Sequence, residues 1–168
     1  MNVVLDTDVL IKMTKISLKE TLTSSFSVVL PPEVVVESVD QGKQGGHLDA
    51  LKVEENITRG RIRVSKPWKP GRAEAIVRDL GLRGGEADVV RLFSAGRVDV
   101  AVSDDRRFLQ VLQSLDVPYA TSSSLLVALA KRGRITRATA LSYLQKLAEY
   151  ISEEQYAEAR AAIAREGP

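Results

Sequence analysis

The side chains best suited to chemistry in this 168-residue chain are carboxylates, and they recur in a pattern. Asp6 and Asp8 follow the apolar run at residues 3–5, and the run at 98–102 is closed by Ser103, Asp104 and Asp105. Glu37 stands four residues after Glu33 in the segment that leaves a third apolar run, 27–30. Glu86 and Asp88 open a segment behind the Gly84-Gly85 pair. Four carboxylates that meet repel by roughly 4 kcal/mol per close pair at an intermediate dielectric, so such a cluster needs a cation. With no cysteine and a single histidine, His47, the chain offers neither sulfur ligands nor a His-rich set. An all-oxygen site selects a hard ion, Mg2+ or Mn2+. One or two such ions activate water and shield the oxygens of an in-line displacement at phosphorus, which points to hydrolysis of a phosphodiester.

Each acid also has a purely structural use. Asp104 or Asp105 can cap a helix, and Glu33, Glu86 and Asp88 can answer a helix dipole from its first turn. No cap role fits Glu37. Asp6, directly behind Val-Val-Leu, is costly to ionise unless something positive offsets it. Glu86 and Asp88 lie roughly 200° apart around a helix, so only one of them can point fully into a common site.

The elements that must position these acids alternate. Short apolar runs at 3–5, 27–30 and 98–102 read as buried parallel strands, with short extended pieces expected at 61–64 and 118–120. Helices are expected after Pro31-Pro32, over 47–58, 72–80 and 85–95, and from the Ser103-Asp104-Asp105 cap to about residue 115. Such alternation predicts an α/β fold, an open and mostly parallel sheet with helices on both faces, whose chemistry gathers at the carboxyl ends of the strands. From residue 122 the pattern becomes helical, over 124–132, 136–150 and 152–165. This tail is either the rim of the same fold or an extension that packs on a partner. Leu125, Leu126 and Leu129, with Leu141, Leu144 and Leu147, recur at helical spacing and suit the core or a dimer seam.

Net charge is only +2, but its distribution is uneven. Between residues 59 and 83 eight basic residues, among them Arg59, Arg61, Arg63, Lys66, Lys69 and Arg72, face two acidic ones. The segment KRGRITR at 131–137 adds four more cations. Cations neutralise phosphates and an aromatic ring such as Trp68 can stack on an unpaired base, so RNA is a natural partner; a solvated loop is the plain alternative. The apolar content, 44%, excludes a disordered chain, and no apolar run approaches the ~20 residues of a membrane span. The start MNVVLDTDVL lacks the charged head and cleavage site of a signal peptide, so a cytoplasmic location is expected.

Four segments, each holding an acid, stand in order along the chain: VVLDTDVLI (3–11), LPPEVVVES (30–38), LGLRGGEADVVRLF (80–93) and VAVSDDRRF (100–108). Together they resemble the PIN-domain nucleases, including the toxin ribonucleases of VapBC toxin–antitoxin pairs. The segment SSSLLVALAKRGRIT (122–136) and the helices after it are similar to the tails of longer archaeal and bacterial PIN proteins. The resemblance implies a three-layer α/β/α PIN-like fold with a helical C-terminal tail, one domain over 1–168 with its α/β core at 1–121 and an extension at 122–168. It implies a Mg2+- or Mn2+-dependent ribonuclease, a homodimer and an antitoxin partner. Asp6 matches the family's first acid, Glu37 the second, Glu86 or Asp88 the third, and Asp105 or Asp104 the fourth, with Ser103 as the small hydroxyl residue. Asp8, where the family more often carries Ser, Thr or Asn, is an extra candidate ligand.

Two rival readings remain. LDTDVL also resembles the opening motif of the haloacid dehalogenase phosphatases, with Asp6 as nucleophile, but this leaves Glu37 and Glu86 without a role. The other is a non-catalytic PIN-like module that binds RNA or a protein.

Overall fold

Period-two alternation in the strands decides the architecture. In the computed structural model, which describes residues 1–46, 48–67 and 71–165, β1 (Asn2–Leu5) turns Val3 and Leu5 to one face and Val4 to the other, and all three are fully buried. A strand buried on both faces needs helices above and below it. After β1 come α1 (Thr7–Lys15), α2 (Lys19–Ser25), β2 (Ser27–Leu30), α3 (Pro32–Val35), a π-helical segment (Val36–Gln41), α4 (Gly42–Gln44), α5 (Leu48–Thr58) and β3 (Ile62–Val64). Then follow α6 (Gly71–Asp79), α7 (Gly84–Ser94), β4 (Val100–Val102), α8 (Arg106–Ser114), β5 (Tyr119–Ala120), α9 (Ser122–Lys131), α10 (Arg137–Leu147) and α11 (Glu153–Arg165).

The five strands form one sheet in the order β3-β2-β1-β4-β5, and every pairing is parallel. Successive strands move outward from β1 to β3, after which the chain crosses back to place β4 on the other side of β1. The strand order therefore reverses between β1 and β4, and a crevice opens there at the carboxyl ends. Val3, Leu5, Val28, Leu30 and Val102 pack beneath a layer that includes α1, α2 and α5. Val4, Val29 and Ala101 pack on the opposite side against Val77, Val90, Phe108 and Leu112 of α6, α7 and α8. The fold is the expected three-layer α/β/α arrangement, with a sheet that is parallel throughout.

Three local differences from the sequence reading have physical causes. Residues 7–25, for which no element was expected, form two helices; the first starts with no linker behind β1 because Asp6 caps it and Val9, Leu10 and Met13 bury its inner face. The strand expected at 98–102 starts at Val100. The helix expected after Pro31-Pro32 is not regular, since α3 gives way to π geometry where the β-branched run Val34-Val35-Val36 meets Ser38, whose hydroxyl donates to the Val34 carbonyl at 2.6 Å.

The C-terminal helices are not a separate layer of packing. Leu125, Leu126, Leu129, Leu144, Leu147 and Ile163 belong to the same buried cluster as Val9, Leu10 and Met13, and Leu141 packs against it partly buried. Replacing the fully buried Leu126 by Ala is expected to cost roughly 2–5 kcal/mol in urea denaturation. A chain ended after residue 121 is expected to lose its cooperative unfolding transition by circular dichroism; a retained transition would show that 1–121 is an independent unit.

Candidate active site

Two of the acids are fixed by helix caps. Asp6, just past β1, accepts from the Val9 amide at 2.8 Å through Oδ1 and so caps α1. Asp105, just past β4, accepts from the Phe108 amide at 2.7 Å through Oδ1 and caps α8. Each bond satisfies a free amide of the helix start and sets the carboxylate's position at the strand end. Ser103, almost fully buried, joins them: its hydroxyl hydrogen-bonds the Asp6 carboxylate, and its oxygen accepts from the Asp105 amide at 3.1 Å.

Glu37 and Glu86 arrive from the other helical layers. Glu37 lies in the π-helical segment, where the Thr7 hydroxyl donates to its Oε2. Glu86 lies in the first turn of α7. The approach of these two segments depends on glycine. Gly84 has φ +52°, which an L side chain adopts only with strain, and it faces Glu37. A Cβ on Gly85 would stand 3.3 Å from Val34 Cγ2 of α3, tighter than ordinary contact.

A cleft of about 390 Å3 results, with Asp6, Asp8, Glu37, Glu86 and Asp105 in its walls beside Arg83. A second cleft of about 870 Å3 shares Asp6, Asp8 and Asp105 with the first and is also walled by Glu149 and Tyr150 of the α10–α11 turn and Glu154 of α11. Burial pushes the Asp6 carboxyl up to about 6, with the charges of Asp8 and Asp104 adding to the rise and the bonds from Ser103 and the Val9 amide restraining it. Burial likewise raises Glu86, helped by the charge of Asp105 and opposed by Arg107. Desolvated acids that resist ionising are a donor set that fits a hard divalent cation. Among the described residues no three acids are gathered tightly enough to chelate an ion as they stand.

The remaining acids are held by the protein's own cations. Lys12 bridges Asp8 and Asp104, and Asp104 also accepts from the Ser122 amide at 2.9 Å, at the start of α9. Burial would pull the Lys12 ammonium down, but its bonds to Asp8 and Asp104 outweigh that and hold it above the ordinary lysine value. The sequence argument that these acids need a guest cation therefore does not extend to Asp8 and Asp104. Asp88 is bonded to Arg91 at 2.8 Å, and Arg91 in turn clamps Glu74 of α6 with both Nε and a terminal nitrogen. That clamp makes Asp88 a tie between α6 and α7, while Glu86 faces the cleft.

Only part of the basic stretch meets the cleft, where Arg83 stands in the wall. Arg59 and Arg61 precede β3, at the amino edge of the sheet, and pair with Glu55 and Glu20. Arg63, Lys66 and Arg72 are exposed; β3 lies two strands, about 10 Å, from β1. Lys69, Trp68 and His47 lie outside the described residues. Among the described residues, cations beside the acids include Lys12, Arg83, Arg106 and Arg107. Arg83 closes the basic stretch that sequence reasoning set against phosphates; Lys12, Arg106, Arg107 and Thr7 were given no site role. Only Lys12 carried a signal, its four-residue spacing from Asp8 on a helix.

A family model described as a PIN domain (DUF3368) matches residues 2–165. No curated protein and no solved structure matches the chain.

The Asp6 carboxyl holds its proton more tightly in the fold than its ordinary value of 3.8 allows. Its contribution to stability is therefore complete below about pH 4 and is lost as pH rises through 6, about two units or ~3 kcal/mol. Asp6→Asn keeps a capping side chain and stays uncharged. In the presence of chelator it is expected to be more stable than wild type by ~1–3 kcal/mol at pH 8 and equal to it at pH 4, by urea denaturation at both pH values.

Proposed function

The chain belongs to the PIN-domain family, and on that premise we propose that it is a Mg2+- or Mn2+-dependent endoribonuclease that hydrolyses RNA phosphodiesters. The observation that carries this reading is the meeting of Asp6, Glu37, Glu86 and Asp105, from four separate chain segments, in one cleft at the point where strand order reverses. These four would hold the ion. When bound, such an ion supplies a Lewis acid for the phosphoryl oxygens and lowers the pKa of water.

The chain's own side chains do the rest. Ser103 and Thr7 fix the Asp6 and Glu37 carboxylates through hydroxyl hydrogen bonds. Arg83, Arg106 and Arg107 set exposed positive charge beside an otherwise acidic mouth, which draws the phosphate backbone toward it. Arg63, Lys66 and Arg72 are candidate contacts for RNA further along the strand, with Lys69, outside the described residues, a candidate from sequence alone, whereas Arg59 and Arg61, at the opposite edge, are not in line with the cleft. A homodimer, an antitoxin partner, a VapBC-type toxin role and a cytoplasmic location belong to the same reading. No helix among the described residues is long and apolar enough to cross a membrane.

A second reading, a non-catalytic PIN-like module that binds RNA or a protein, draws on one observation: the acids do not already form a three-carboxylate cage. One assay separates the two. Wild type is expected to cut single-stranded RNA with Mg2+ or Mn2+ and to stop with chelator, and Asp6→Asn to lose roughly 10²-fold or more of the rate, the scale of removing one electrostatic contact at a reacting centre. Asp88→Asn is expected to stay within about fivefold of wild type, since Asp88 is not in the cleft wall and Asn keeps an oxygen that can accept from Arg91. RNA binding without metal-dependent cutting by wild type would favour the binding module. A small gene for a DNA-binding protein immediately upstream would support the toxin role.

A further inference from the structure

The proposed reaction leaves the Lys12 ammonium without a task. Lys12 lies on α1 with only 7% of its surface exposed, and its Nζ stands 2.5 Å from Asp8 Oδ2 and 2.9 Å from Asp104 Oδ2. The two carboxylates come from segments far apart in the chain, the first turn of α1 and the β4–α8 turn. Asp104 is 6% exposed at its side chain, and its other oxygen is already engaged by the Ser122 amide. All three groups line the larger cleft, whose wall also contains Asp6 and Asp105. Carboxylate oxygens from separate segments closing on one buried positive centre are the arrangement of ligands around a cation, with an ammonium in the cation's place. Mg2+ to oxygen distances are about 2.1 Å, so the same two carboxylates would meet a divalent ion there by moving in less than about 1 Å each.

We infer that Lys12 is the built-in cation of this site, standing between Asp8 and Asp104 where a second divalent ion would otherwise bind. Wild type then takes a single ion, at Asp6, Glu37, Glu86 and Asp105. Only the location of that first ion rests on the function proposed above; the role of Lys12 rests on its own contacts. Lys12 acts through charge and position and has no part in bond making.

The experiment counts Mn2+ bound per full-length chain by equilibrium dialysis for wild type, Lys12→Met, Lys12→Arg and the double variant Lys12→Met with Asp104→Asn. Lys12→Met is expected to bind one ion more than wild type. Lys12→Arg should match wild type, and adding Asp104→Asn should remove the extra ion. Equal counts for wild type and Lys12→Met overturn the inference. A wild type that binds no Mn2+ overturns the proposed function instead, and the difference between Lys12→Met and wild type still decides the role of Lys12. If Lys12→Met unfolds in chelator, Mn2+ should restore its cooperative unfolding transition where Na+ at equal ionic strength does not; failure of Mn2+ to do so also overturns the inference.

Discussion

Carboxylates crowded at the ends of β1 and β4 must be partly removed from water, and the surrounding architecture serves to make that tolerable. Left alone, such groups repel one another and resist ionisation, as the raised values of Asp6 and Glu86 record. The protein meets the strain in separate ways. Lys12 neutralises Asp8 and Asp104 directly, helix starts supply amides to Asp6 and Asp105, and hydroxyls of Ser103 and Thr7 donate to Asp6 and Glu37. What those devices do not offset is concentrated on the smaller cleft, where Asp6, Glu37, Glu86 and Asp105 meet.

Capping and chemistry are often treated as competing explanations for an acid at a helix start. Here they coincide. A cap bond uses one carboxylate oxygen and pins the group with the rigidity of the helix behind it, so Asp6 and Asp105 are placed by α1 and α8 to the precision of those helices. Glu37, which caps nothing, is held by a hydroxyl and by the irregular π-helical segment, a geometry that recurs at functional sites.

Much of this was legible in the amino acids. Buried parallel strands are nearly continuous apolar runs, so the runs at 3–5, 27–30 and 98–102 announced the sheet, and the acids behind them announced its reactive edge. The rest was hidden for identifiable reasons. Helix α1 follows β1 without a linker, so no punctuation marked it. Spacing on a helix could separate Glu86 from Asp88 but not choose between them; the choice comes from Arg91 and Glu74, and Glu74 belongs to a different helix. The link from Lys12 to Asp104 spans 92 residues and exists only once β1 and β4 are neighbours. Counting charge along 59–83 overlooked strand direction, which puts residues before β3 and residues after it at opposite edges.

The central pairing of the sheet joins strands whose sequence separation is large: the Asn2 amide meets the Asp99 carboxylate across 97 residues. Because β4 pairs with β1 from the far half of the chain, the acidic mouth exists only when that long-range pairing is in place. The first half of the chain by itself carries Asp6 and Glu37 with no Asp105 to face them, so the cleft is a joint product of both halves.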